Sequence, residues 1–221
     1  MSLIASDKGG SDFDITPEGV YQAVCYGVID LGHQHNKKYD NWGRKIMIQW
    51  ELPSERIDIE VDGKMVSKPR AISRRFGLSL GTKSHLRPFL ESWRGKKFKF
   101  DELVGFDLEK LVGVNCMLQV LHNEVSYNDY QDKTYANVHT VMPIGKGVDK
   151  MIPENPTMFY SMDDSKLNYP SELPDWIKKI IMESREYQEA GNPGYEEEQI
   201  GGYGEMGDAF PDDKMPSDVP F

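Results

Sequence analysis

Basic and aromatic side chains are interleaved in one short stretch of the chain, residues 68–76 (KPRAISRRF). Basic side chains can follow the phosphates of a nucleic acid. Flat rings can stack on unpaired bases, each stack contributing about 1–3 kcal/mol. If this stretch is a strand, Arg75 lies opposite the apolar face that carries Phe76 and points outward. Arg74 falls on the apolar face, where a charge fits only at a rim or a bulge.

Further basic and aromatic residues lie in polar segments that are predicted to be loops. Trp42, between Asn41 and Gly43, is the ring that core packing explains least. The other rings would also suit a packed core, and that alternative stays open. We predict that single-stranded nucleic acid contacts Lys37, Tyr39, Trp42, Arg44, Lys45, Lys68, Arg70, Arg74, Arg75, Tyr127, Tyr130, Lys133 and Tyr135.

Charge is distributed unevenly along the 221 residues, whose formal net charge is −10. Residues 64–99 hold eleven basic side chains and one acidic side chain, whereas residues 186–221 hold one basic and ten acidic. A cationic segment raises the local concentration of phosphates, and acidic tails are often interaction arms. A solvated basic face and an inert, solubilising tail would explain the same distribution.

Signatures of enzymes and of metal sites are absent from the sequence. It contains no GxxxxGK[ST], GxSxG or HExxH motif, and its five histidines do not form a close ligand set. The two cysteines, Cys25 and Cys116, lack metal-ligand spacing and are expected to be reduced and buried. We therefore predict a protein that is not an enzyme and has no cofactor and no metal.

The sequence also predicts no membrane partner. No apolar run approaches the roughly 20 residues needed to cross a bilayer. The first ten residues hold too short an apolar stretch for a secretory signal. A cytoplasmic location is expected.

Alternation of apolar and polar residues predicts five main strands, with a polar loop over residues 33–43. The clearest case is residues 44–52, where Lys45, Met47, Gln49 and Glu51 are expected to face away from the core. The dipeptide at residues 62–63 (DG) predicts a tight hairpin turn. The predicted strands are 20–31, 44–52, 70–80, 114–125 and 134–142, and the hairpin joins 57–61 to 64–67.

One helix is predicted between the third and fourth strands and another near residue 180. The first has apolar residues at helical spacing from Leu86 to Trp93, with Thr82 as the expected N-cap and Gly95 at its end. Pro88 fits only in its first turn or at a kink. The second helix starts at Pro174 and is expected to end near residue 187.

The order of these elements is that of an OB-fold, a five-stranded Greek-key barrel. We predict a mainly β protein with this barrel, an inserted hairpin, one helix between strands 3 and 4, and a C-terminal helix before a disordered acidic tail. An α+β domain with a twisted antiparallel sheet is the alternative. The predicted organisation is a flexible arm (1–17), an OB-fold nucleic-acid-binding domain (18–150), a linker and helix (151–190), and a disordered tail (191–221).

The C-terminal residues are acidic and end in an apolar tip. Such a tip can seat its ring in a hydrophobic pocket while a basic rim binds its carboxylates, although an accidental terminal Phe would look the same. The residues predicted to bind a partner protein are Asp212, Asp213, Asp218, Val219, Pro220 and Phe221.

The C-terminal tip resembles that of bacterial single-stranded DNA-binding proteins, which recruits replication and repair enzymes. Its acids just before Phe221 are fewer, and Lys214 interrupts them. The body resembles a family of phage and prophage single-stranded DNA-binding proteins with an OB-fold. The resembling stretches are residues 28–32 (VIDLG), 50–53 (WELP), 78–80 (LSL), 90–95 (LESWRG), 105–108 (GFDL), 135–137 (YAN) and 173–176 (LPDW).

The resemblance implies non-enzymatic, largely sequence-independent binding of single-stranded DNA in phage replication, recombination or repair. It also implies that the tail recruits replication or recombination proteins in the host cytoplasm. A protein-interaction module with an OB-like core and no role in nucleic-acid binding remains the alternative. A nuclease or recombinase is disfavoured because no acidic metal-binding motif occurs.

Overall fold

The computed structural model describes residues 15–61, 63–127, 131–165 and 167–190, and of residues 60–61, 125–127, 131–133 and 164–165 only the backbone. The strands are β1 (Gly19–Asn36), β2 (Asn41–Val61), β3 (Lys64–Gly77), β4 (Asn115–Tyr127), β5 (Gln131–Pro143) and β6 (Met158–Tyr160). The helices are α1 (Leu86–Arg94), α2 (Phe100–Val104), α3 (Met162–Ser165), α4 (Asp175–Met182) and α5 (Arg185–Glu189), with a 3₁₀ turn at Leu108–Leu111.

The strands form one sheet in the order β3-β2-β1-β4-β5, in which neighbouring strands are antiparallel. The short β6 pairs with β1 in parallel. The prediction of a mainly β protein is confirmed, and the order is consistent with a barrel-like OB-fold that is not closed. In the described part of the chain, no backbone ladder joins the two edge strands, β3 and β5.

Arg74 bridges the two edges of this open sheet. Its Nη1 donates hydrogen bonds from β3 to the backbone oxygens of Val138 (2.8 Å) and His139 (3.0 Å) on β5. Its guanidinium carbon lies 5.0 Å from the ring centroid of Phe76 and 5.2 Å from that of Phe89. Arg74 can therefore occupy the apolar face of β3, because carbonyl oxygens and ring faces surround its charge.

The interior of the barrel is filled by apolar residues of the strands and of α1. The ring centroid of Trp50 lies 5.8 Å from that of Phe89 and 5.6 Å from that of Trp93. Pro88 is the third residue of α1, in the first turn, where a missing N–H costs nothing. Gly95 ends α1, as predicted, and has φ 66°. The N-cap is His85, so the prediction of Thr82 is wrong.

The prediction of a long loop over residues 33–43 is wrong. β1 runs to Asn36 and β2 begins at Asn41, so the turn holds only residues 37–40. Asn36 stabilises this tight turn because its Oδ1 accepts hydrogen bonds from the backbone N–H groups of Lys38 (3.0 Å) and Tyr39 (3.3 Å). The hairpin predicted around residues 62–63 is present. The end of β2 pairs with the start of β3, up to Val61 and Lys64.

Residues 151–165 and 167–190 form a second layer on the outer face of β1 and β2. This layer encloses a second core between the strands and the C-terminal helices. The members of that core are Ile29, Leu31, Met47, Tyr160, Met162, Leu173, Ile177, Ile181 and Tyr187. The helix predicted to end near residue 187 is two helices, α4 and α5, which are separated at Glu183 and Ser184.

Residues of β2 on the side of this layer are buried, although alternation predicts that they are exposed. Alternation predicts that Met47, Gln49 and Glu51 face solvent, but all three are buried. The Glu51 carboxylate accepts hydrogen bonds from the backbone N–H groups of Glu154 (2.9 Å) and Asn155 (2.9 Å). Glu51 thus holds the start of the second layer against β2.

Cys25 and Cys116 are buried free thiols, as expected. Burial raises the pKa of the Cys25 thiol to about 12 and also raises that of Cys116. Within the described residues, no helix combines the length and apolarity needed to span a bilayer.

Candidate nucleic-acid interface

The end of the β1–β2 hairpin presents two exposed rings, Tyr39 in the turn and Trp42 on β2. Tyr39 is 55% exposed and Trp42 is 38% exposed. The Lys38 ammonium lies 5.0 Å from the centroid of the Tyr39 ring. Lys37 occupies the same turn and is also exposed. Rings and cations are therefore adjacent at the end of a hydrogen-bonded hairpin, which limits their motion.

Trp42 contacts one residue of the neighbouring strand and one residue of the second layer. Across the ladder, the His35 ring centroid lies 5.1 Å from that of Trp42, and His35 Nε2 lies 2.9 Å from Asp40 Oδ1. From the second layer, the Arg185 guanidinium carbon lies 5.8 Å from the Trp42 centroid. Orientation by these contacts lowers the entropy cost of stacking a ligand on the exposed part of the ring.

Lys45 and Arg75 are neighbours on the outer face of β2 and β3. Lys45 is opposite Gly77 and Met47 is opposite Arg75, so the two basic residues are diagonal partners. Both are half-buried. Lys45 follows Trp42 by three residues, about 10 Å along the strand, so alternation places the two side chains on opposite faces of β2. We name the set Lys37, Lys38, Tyr39, Trp42, Lys45 and Arg75 the turn surface.

Arg44 is engaged in contacts with two carboxylates of the protein. Its Nη2 lies 2.5 Å from Oδ2 of the buried Asp30 and 2.7 Å from Oδ2 of Asp163. The hydrogen bond to Asp30, followed by that to Asp163, raises the pKa of Arg44 despite its partial burial. Asp30 Oδ2 also accepts the backbone N–H of Met162 (3.2 Å). Arg44 therefore joins the hairpin to α3, and we omit it and Arg74 from the proposed interface.

The other residues predicted to contact nucleic acid lie at the end of the sheet opposite the β1–β2 turn. β3 runs antiparallel to β2, so Lys68 is seven residues and about 23 Å along the strand from Arg75. Arg70 pairs with Leu52 and is half-buried, as is Tyr135, which pairs with Asn123. The register places the β1–β2 turn and the β4–β5 turn at opposite ends of β1. The structure thus does not bring all the candidates together.

Several sequence candidates cannot be placed with their side chains. Only the backbones of Tyr127 and Lys133 are described, near the end of the β4–β5 hairpin. Tyr130 and the tail residues Asp212, Asp213, Asp218, Val219, Pro220 and Phe221 lie outside the described residues.

Arg185 is not among the residues predicted from the sequence to contact nucleic acid. It lies far along the chain from Trp42, and no sequence pattern indicates that the two are close in space. Its proximity to Trp42 arises because His33 and Glu186 join α5 to β1, with 2.5 Å between His33 Nδ1 and Glu186 Oε1. Burial opposes ionisation of Glu186, but the hydrogen bonds from His33 outweigh it and lower the pKa. Among the described residues, no three His, Cys, Asp or Glu side chains are grouped to hold a metal ion.

No family model matches the chain, and no curated protein matches it significantly. The function proposed below is therefore supported by the geometry and charge of the turn surface.

Proposed function

We propose that the protein binds single-stranded DNA at the turn surface, without catalysing a reaction and largely without regard to sequence. The observation that carries this proposal is the pair of exposed rings, Tyr39 and Trp42, beside cations at the end of the β1–β2 hairpin. In a biological context, we place this activity in phage DNA replication, recombination or repair, in the cytoplasm of the host.

Single strands suit this surface better than duplexes. An unpaired base has a free face that can stack on Trp42 or Tyr39, whereas bases in a duplex are already stacked on each other. The lysines and Arg75 would then neutralise the phosphates on either side. Every base has such a face, so stacking and phosphate contacts together give affinity with little sequence preference.

The acidic tip supplies the second part of the proposal. Residues 212–221 end in Val219, Pro220 and Phe221, an apolar end after several carboxylates. We propose that this tip recruits replication or recombination proteins. The tip and the turn surface would then have separate ligands, so that bound DNA could be delivered to a recruited enzyme.

Replacing Trp42 by Ala is expected to weaken binding to oligo(dT) by about 5- to 150-fold, because one stacking interaction is lost. Fluorescence anisotropy of labelled oligo(dT) measures the dissociation constant. Trp176→Ala is the matched control, since Trp176 is also exposed (45%) but lies on α4. Absence of binding to oligo(dT), to RNA and to duplex DNA at low salt would reject the function and favour the protein-interaction module.

The positions of Lys45 and Arg75 predict a change in salt dependence. Each replacement by Ala should weaken binding to all single strands alike. Each should also lower the slope of log K against log salt concentration by about 0.7, because one phosphate contact is lost. Lys68→Ala and Arg70→Ala are the comparison pair. Unchanged slopes for Lys45 and Arg75, with reduced slopes for Lys68 and Arg70, would move the interface to the other end of β3.

A further inference from the structure

Helix α5 of the second layer lies on the same hairpin that carries the turn surface. Glu186 Oε2 accepts the backbone N–H of His33 (2.9 Å), and its Oε1 contacts the His33 ring. Gln34 Nε2 donates to the backbone oxygen of Ile180 (2.9 Å). These contacts attach α4 and α5 to β1 a few residues before the turn.

Helix α5 contacts the part of β1 that pairs with residues 42–45 of β2. His35 is opposite Trp42 and Gly32 is opposite Lys45. Gly32 has φ +70°, and a Cβ atom there would lie 2.7 Å from the Cβ of Ser184. The close approach of α5 to this part of the hairpin therefore depends on glycine at position 32.

Arg185 projects from a firmly held element. Ser184 caps α5 by accepting the backbone N–H of Tyr187 (3.4 Å), and the Tyr187 side chain is buried in the second core. Arg185 Nε lies 3.9 Å from Glu189 Oε1, a long ion pair on the surface. Its guanidinium can therefore exchange that contact for a phosphate at little cost.

We propose that Arg185 is a further DNA-binding residue, which contacts the phosphate of a nucleotide whose base stacks on Trp42. This inference rests on the proposed function. Because α5 would contact both the hairpin and the DNA, docking of α5 and DNA binding must stabilise each other by the same free energy. The second layer then acts as part of the binding site as well as a cover for β1 and β2.

The test combines variants of the full chain with two readouts. Arg185→Ala is expected to weaken oligo(dT) binding about tenfold and to lower the salt slope by about 0.7. Arg185→Lys should retain most of the slope, because the charge remains. Lys179→Ala, an exposed lysine of α4, should change the dissociation constant less than twofold. Hydrogen exchange of residues 184–190 should slow when oligo(dT) binds the wild type, and this slowing should be smaller in Arg185→Ala.

The outcomes separate this inference from the function on which it rests. If Trp42→Ala weakens binding but Arg185→Ala binds like the wild type, with unchanged exchange in α5, the role of Arg185 is rejected and the function stands. If the wild type does not bind oligo(dT), the function fails and the role of Arg185 fails with it. Urea unfolding of Arg185→Ala without DNA should match the wild type; a large loss of stability would mean that Arg185 acts through folding.

Discussion

Replacing Asp30 by Ala is expected to lower the free energy of unfolding by about 3 kcal/mol, because it leaves a partly buried guanidinium without its main partner. The Asp30 carboxylate is almost fully buried and accepts hydrogen bonds from Arg44, from the backbone of Gly32 (3.0 Å) and from the backbone of Met162. The change therefore removes contacts within the β1–β2 hairpin and between the hairpin and α3. Urea unfolding followed by circular dichroism measures the loss.

Asp163→Ala is the matched control for this prediction. Asp163 contacts the same nitrogen of Arg44, but its side chain is 73% exposed. Exposed ion pairs contribute about 1 kcal/mol or less, so the loss of stability should be small. Limited proteolysis should also cleave residues 151–190 faster in Asp30→Ala than in the control. Equal losses in the two variants would contradict the role of burial.

The strands and their order along the chain could be predicted, because local sequence patterns indicate where each strand lies. Alternation located the main strands, the turn at residues 62–63 joined β2 to β3, and the spacing from Leu86 to Trp93 located α1. Five strands with a helix after the third have the connectivity of the OB-fold, with an α+β domain as the alternative that the sequence left open. The tight turn after Asn36 cannot be predicted, because a polar stretch of this length gives the same pattern in a loop and in an exposed hairpin.

Burial of the outer face of β2 could not be predicted, because it depends on a segment more than 100 residues away. Alternation predicts that Met47 and Glu51 face solvent. They are buried because residues of the second layer pack on them. The basic character of Arg44 is visible in the sequence, whereas its contacts with Asp30 and Asp163 depend on the fold. Trp42 is exposed, which agrees with its polar flanking residues.

Deleting residues 191–221 is expected to raise the affinity for single-stranded DNA at low salt, by about tenfold. This segment holds eight acidic residues and one basic residue, Lys214. It begins just after α5, which lies on the hairpin of the turn surface. A tethered polyanion at millimolar effective concentration competes with DNA for the same cations. Titration of intact and shortened protein with oligo(dT) at several salt concentrations measures the gain.

Two features distinguish competition by charge from other effects of the deletion. The gain should shrink as salt rises, because screening weakens the tail and the turn surface together. Deleting only Phe221 should leave DNA affinity unchanged, since it removes no side-chain charge, but it should abolish recruitment of partner proteins. If intact and shortened proteins titrate identically at low salt, the tail does not compete with DNA for the turn surface. If pull-downs from infected cells are the same with and without Phe221, the tip does not recruit partners.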